Sequence, residues 1–161
     1  MNSEQSKRIE QLYFEMFEKL MIYANCQLDS EALSEEAVQE CFRIACQQPE
    51  KLCESPNPQG WLVITLRNTI RNMRANRATA KRIAERYLLA QQKEMAFHED
   101  GVRLSILYGD VADTEEFKLL AEMALQGHSH AEMARDRGIS INACKKRVQR
   151  AKEILQKKIK K

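Results

Sequence analysis

Residues 128–155 read HSHAEMARDRGISINACKKRVQRAKEIL, and the punctuation of this stretch decides the fold. Ser129 and Glu132 have the spacing of a capping box, in which a hydroxyl and a carboxylate satisfy each other's backbone N–H groups at a helix start. Gly138 suits the left-handed residue that ends a helix. Ser140 can cap the helix that follows, whose apolar stripe is Ile141, Cys144, Val148, Ala151 and Leu155. Two short helices around a Gly-containing turn, the second strongly basic, follow the grammar of a helix-turn-helix. Ala134 is small where the two helices would cross. Opposite the stripe stand Asn142, Lys145, Lys146, Arg147, Gln149 and Arg150. Asn and Gln can bond adenine edges, Arg can fork onto guanine and Lys neutralises phosphate, so these residues are the candidate duplex contacts. A solvated basic helix face would carry the same residue types without binding anything.

Working outward, Asp113 and Glu116 repeat the capping-box spacing ahead of Phe117, Leu120, Ala121 and Ala124. Residues 97–112 interrupt the helical pattern with Gly101 and Gly109 and read as a linker. Before it, Ile9, Leu12, Tyr13, Met16, Phe17, Leu20 and Ala24 follow the i, i+3, i+4 rule. A second helix is expected from Ser34 as N-cap, with Leu33 and Val38 as a hydrophobic staple and Val38, Cys41, Phe42 and Ala45 as its stripe. Residues 49–58 hold all three prolines and read as a turn-rich connection. Asn57 then caps a third helix with Pro58 at its first position, lined by Leu62, Leu66, Thr69, Ile70 and Met73, with Trp61 near its start as a core anchor. Ile83, Ala84, Tyr87 and Leu88 continue in a fourth segment. No stretch alternates with period two. The expected fold is all-α, with one small helical domain over 1–96, a linker over 97–112 and a second domain over 113–161.

Charge distribution says more than the net +3. Residues 60–93 hold eight basic groups against one acidic, and residues 131–161 hold eleven against three, while the stretches 1–59 and 94–130 are both acidic. Two separated basic blocks, each inside a patterned helix, suggest two places where the chain meets a polyanion. No run approaches the ~18 apolar residues of a membrane span, and Met1–Lys7 has no signal-peptide character; membrane insertion is not expected and the location expected is cytoplasmic. The five cysteines form no C-x-x-C pair, and Cys41 and Cys144 on apolar stripes read as small buried hydrophobes. No Cys/His or Ser/His/Asp set suggests itself around His98, His128 or His130, so no enzyme, cofactor or metal is expected. Glu36 and Glu40, one turn apart, could hold a nuclease metal, but that spacing is ordinary on exposed helices.

Several stretches together resemble a known family. Glu132-Met133-Ala134, Gly138-Ile139-Ser140 and Arg150-Ala151 with Leu155 resemble the E-I-A, G-I-S and R-A-x-x-x-L elements of the promoter-binding fourth domain of bacterial sigma factors. SEEAVQECF (34–42) is similar to that family's second-domain helix, E-D-x-V-Q-E-x-F, and PQGWLVITLRNTIRN (58–72) to its W-L-x-x-I-A-x-N segment. The C-terminal pattern alone also occurs in response regulators; both domains in this order point to the extracytoplasmic-function branch. The resemblance covers about residues 10–92 and 113–158. Ala143 and Cys144 depart from the family's frequent Thr and Val, and no Leu-Pro precedes Asp113-Thr114.

The resemblance implies a sigma region 2-like bundle and a region 4-like helix-turn-helix, with core RNA polymerase and promoter DNA as partners and, in many members, an anti-sigma factor. It places Gln39 and Glu40, with Glu36 and Arg43 on the same polar face, against the coiled-coil helices of the polymerase clamp. It gives the −10 element to Arg67, Asn68, Arg71, Asn72, Arg74, Asn76 and Arg77. The asparagines would lie near a flipped base held by a loop after the third helix, and the arginines on phosphate. The −35 element falls to the basic face of the last helix. The rival is a helix-turn-helix regulator that never acts as a sigma subunit, for which VQECF and GWLVITLRN have no role.

Overall fold

The structure is a computed structural model that describes residues 1–96, 114–124 and 126–160, and among these every regular element is a helix. They are α1 (Ser3–Gln27), α2 (Glu31–Gln47), α3 (Pro49–Cys53), α4 (Pro58–Ala96), α5 (Glu115–Ala124), α6 (His130–Arg137) and α7 (Ile141–Ile159). The all-α reading holds. The chain divides into two compact units, 1–75 and 76–161, each with its own core. The expected linker at 97–112, with His98 and the Asp113 cap, lies outside the described residues.

In the first unit the stripes meet as their spacing requires. Leu12 and Leu20 of α1, Val38 and Cys41 of α2, and Leu62 and Leu66 of α4 are buried together. Truncating one such leucine to alanine costs about 2–5 kcal/mol, because lost transfer energy and a residual cavity add. The Cys41 thiol donates to the Leu62 carbonyl at 3.3 Å, tying α2 to α4. Asn57 caps α4 as expected, its Oδ1 accepting from Gly60 N at 2.9 Å. Trp61 is half-buried against this core.

Three local expectations need correction. The N-cap of α2 is Ser30, whose Oγ accepts from Leu33 N at 3.4 Å. Ser34 lies inside the helix and is fully buried, its hydroxyl returning to the Ser30 carbonyl at 3.1 Å. Within 49–58, Pro49–Cys53 form the short α3, where Pro49 loses no bond at the first position and Leu52 fills the core. Finally, α4 runs unbroken through Asn76–Thr79, so the third and fourth expected helices are one. That stretch contains no Gly or Pro to break the helix; Asn76 is exposed on its surface, while Arg77 and Thr79 are half-buried.

The second unit begins inside α4. Ala80, Ile83, Ala84 and Tyr87 share a core with Phe117 and Leu120 of α5, Met133 of α6, and Cys144, Val148 and Leu155 of α7. Ala80, Ile83, Ala84, Tyr87 and Leu88, expected with the N-terminal domain, therefore pack with α5, α6 and α7.

Candidate nucleic-acid interface

Helices α6 and α7 are built from local hydrogen bonds that the sequence announces. Ser129 N donates to Glu132 Oε2 at 2.8 Å and Glu132 N to Ser129 Oγ at 3.2 Å, a complete capping box. Bonds to the carboxylate from the Ser129 backbone N–H first, and from the Ser129 hydroxyl after it, hold the Glu132 carboxyl below its ordinary range. At the other end Gly138 is left-handed, φ 61°. Ile139 N donates to the Ala134 carbonyl at 3.0 Å and Gly138 N to that of Arg135 at 3.2 Å, the paired bonds of a Schellman ending. A Cβ at Gly138 would meet nothing, so the constraint there is backbone angle, not space. Ser140 Oγ accepts from Ala143 N at 3.1 Å and starts α7. Ala134 is buried, as a close helix crossing requires.

On α7 the stripe Cys144, Val148, Ala151 and Leu155 is buried, while Ile141 at its start is 39% exposed. The candidate duplex contacts do not form one group. Asn142, Lys146 and Gln149 are exposed and stack at i, i+4 and i+7, with half-buried Lys145 beside them. Arg147 and Arg150 instead line a groove of about 290 Å³ with Glu115, Glu116, Leu119 and Ile154. Gln149 is already engaged, its amide donating to Glu153 at 3.1 Å.

An ion pair that the sequence reading missed braces this unit. Arg137 at the end of α6 donates to both carboxylate oxygens of Glu122 on α5, at 2.7 and 2.9 Å. The hydrogen bonds hold the Glu122 carboxyl below its ordinary value and push Arg137 further up. Burial draws the Lys152 ammonium below its ordinary value, so this lysine belongs to the packed flank of α7. Nothing local marks the ion pair, because 15 residues separate Glu122 from Arg137.

The −10 candidates are spread along α4. In the first unit Arg67, Asn68, Arg71 and Arg74 line one groove of about 330 Å³ with Tyr23 and Gln27 of α1, two residues the sequence did not single out. Arg74 donates to the Gln27 carbonyl at the end of α1, a helix with no basic residue in its own last turn; a cation there offsets the helix dipole. Asn72 is exposed. In the second unit Asn76 is exposed on the continuous helix, not in a loop. Arg77 is half-buried and donates to the carbonyls of Met123 and His128 at 2.6 and 2.7 Å, so its guanidinium serves the end of α5.

On α2, Gln39 and Arg43 are exposed and Glu36 and Glu40 half-buried on the polar side. Arg43 clasps Glu40 through Nε at 2.7 Å and Nη2 at 2.5 Å, and that bond pushes the Arg43 guanidinium up. Glu40 is thus committed to an arginine within one turn. Among the described residues no helix is long and apolar enough to cross a membrane. No family model matches the chain, and no curated protein matches it at a significant level.

Proposed function

We propose that the chain binds duplex DNA through α6 and α7 and acts as a sigma subunit of the extracytoplasmic-function type, directing RNA polymerase to promoters. The observation that carries the DNA reading is the pairing of a complete capping box and left-handed Gly138 with the exposed Asn142–Lys146–Gln149 line on the helix that follows. That line has the donors and acceptors a major groove demands. The polymerase part rests on the sequence resemblance of residues 34–42 and 58–72, on the exposed Gln39, and on the Arg67–Arg71–Arg74 groove as a phosphate-facing surface.

One observation favours a second reading, a helix-turn-helix regulator that is not a sigma subunit. Residues 76–79 lie within an unbroken helix, and residues 80–87 pack against the helix-turn-helix. A base-holding loop at that place has no counterpart. In vitro transcription with purified core polymerase on genomic fragments separates the two. Promoter-specific transcripts that depend on the chain support the sigma reading. Sequence-specific binding to duplex without any such transcript supports the regulator.

A further inference from the structure

The second unit has a basic groove apart from the recognition line. Arg82 and Arg86 of α4 face Lys160 at the end of α7 across a groove of about 120 Å³, with Ile83 and Ile159 against it. Among the described residues none of the three cationic side chains meets a carboxylate or a hydrogen-bond acceptor. Nearby Glu85 is 3.9 Å from Lys81 instead. Three like charges held around one groove repel each other unless an anion joins them.

The placement of Lys160 gives that anion a class. Positions 142, 146, 149, 153, 156 and 160 fall on one line of α7 at steps of three and four. Gln156, also in the groove wall, is on that line. Lys160 is therefore on the side of α7 that presents Asn142, Lys146 and Gln149, about 20 Å further along at 1.5 Å per residue. That exceeds the ~12 Å width of a major groove, so a helix that reads base edges near its start meets sugar–phosphate backbone near its end. Two arginines suit phosphodiester oxygens by their forked donors.

We propose that Arg82, Arg86 and Lys160 form a phosphate clamp that grips the DNA backbone beyond the bases read by α7. The clamp rests on the duplex-binding reading and is independent of whether polymerase is a partner. It makes the C-terminal half of α4 part of the DNA-binding surface, with a role in affinity and none in base choice.

The test is the salt dependence of duplex binding by the full chain, for wild type, Arg82→Gln/Arg86→Gln and Lys160→Gln. Each phosphate contact contributes about 0.9 to the slope of log affinity against log salt. The double variant is expected to lower the slope by about 2 and the single one by about 1, with the ranking of duplex sequences unchanged. Lys7→Gln/Lys19→Gln, which removes as much charge from α1, is expected to leave the slope as it is. Helix content and melting temperature are compared to show that each variant folds, and Lys160→Gln at a helix end keeps the test open should the double variant unfold. A wild-type slope retained by both groove variants overturns the clamp and leaves duplex binding standing. An equal drop in the Lys7/Lys19 control overturns it too, as a mere net-charge effect. A wild-type chain that binds no duplex removes the underlying reading and the clamp with it.

Discussion

The guanidinium of Arg77 holds the main-chain carbonyl of Met123 at 2.6 Å, joining the middle of α4 to the end of α5. A second nitrogen reaches the His128 carbonyl at 2.7 Å, on the far side of the turn that leads into α6. The turn contains Gly127 at φ 74° and returns two backbone bonds to α5, from Gln126 N to the Ala121 carbonyl at 3.1 Å and from His128 N to that of Glu122 at 3.0 Å. One planar, permanently charged group therefore adds to these bonds in holding the turn between α5 and α6. A lysine, a point charge on a flexible stem, cannot reproduce that fork.

Arg77→Met is expected to destabilise the protein by roughly 1.5–3 kcal/mol, the range for a hydrogen bond with a charged partner. Arg77→Lys should recover part of it. Urea unfolding measures both. Had Arg77 acted only on promoter phosphate, stability would stay at the wild-type value while open-complex formation fell.

The Glu122–Arg137 pair predicts an acid-sensitive component of stability. Because Arg137 holds the Glu122 carboxyl below its unfolded value, the contribution is present above the ordinary carboxylate pKa, about 4.3. It is lost as pH falls through the depressed folded value. Glu132, depressed by the Ser129 bonds, acts with the same sign. Unfolding curves taken downward from pH 6 should show Glu122→Gln less stable than wild type at the upper end and converging on it at the lower. Parallel curves would mean that the pair contributes nothing through ionisation.

What the sequence disclosed and what it hid differ by range. The Asn57, Ser129 and Ser140 caps and the Gly138 ending are bonds between residues three to five apart, so composition and spacing reveal them. The same signals misplace the start of α2, because Ser30 and Ser34 both have cap chemistry and only burial separates them. The expected base-holding loop after the third helix came from family resemblance; locally nothing at 76–79 breaks a helix. Most hidden were the arginines. Arg74 and Arg77 look like free cations in a basic block, yet each donates to a carbonyl 46 or more residues away. Likewise Arg147 and Arg150 share a basic helix with Gln149 but line a different groove.

The cysteines should divide sharply by reactivity. Burial first, and the charge of Glu40 second, push the Cys41 thiol up to about 12, and Cys144 is fully buried. Cys26 and Cys46 are exposed. At pH 8 a thiol reagent is expected to modify Cys26 and Cys46 promptly, with Cys41 and Cys144 reacting only on unfolding. Since the folded thiolate of Cys41 is disfavoured, stability should fall as pH rises above the ordinary thiol value of about 8.5. Prompt labelling of Cys41 in the folded chain would contradict its packing against Leu62.

Base choice should depend on Gln149 and Asn142 and not on Arg147. Gln149 stands on the exposed line of α7, and its bond to Glu153 is one between exposed groups that DNA can displace at little cost. A side chain that bonds one base edge bidentately discriminates at one position, so Gln149→Ala is expected to shift preference there by about 1–3 kcal/mol. Arg147 faces the groove with Glu115 and Glu116, so Arg147→Ala should alter all sequences alike or none. Lys157 and Lys158, exposed near the end of the helix, should on replacement weaken every sequence equally and lower the salt slope. Binding selections on randomised duplexes, run for each variant at fixed salt, read all of this out. A position-specific change from Arg147 with a uniform loss from Gln149 would reverse the assignment and turn the reading face of α7 toward α5.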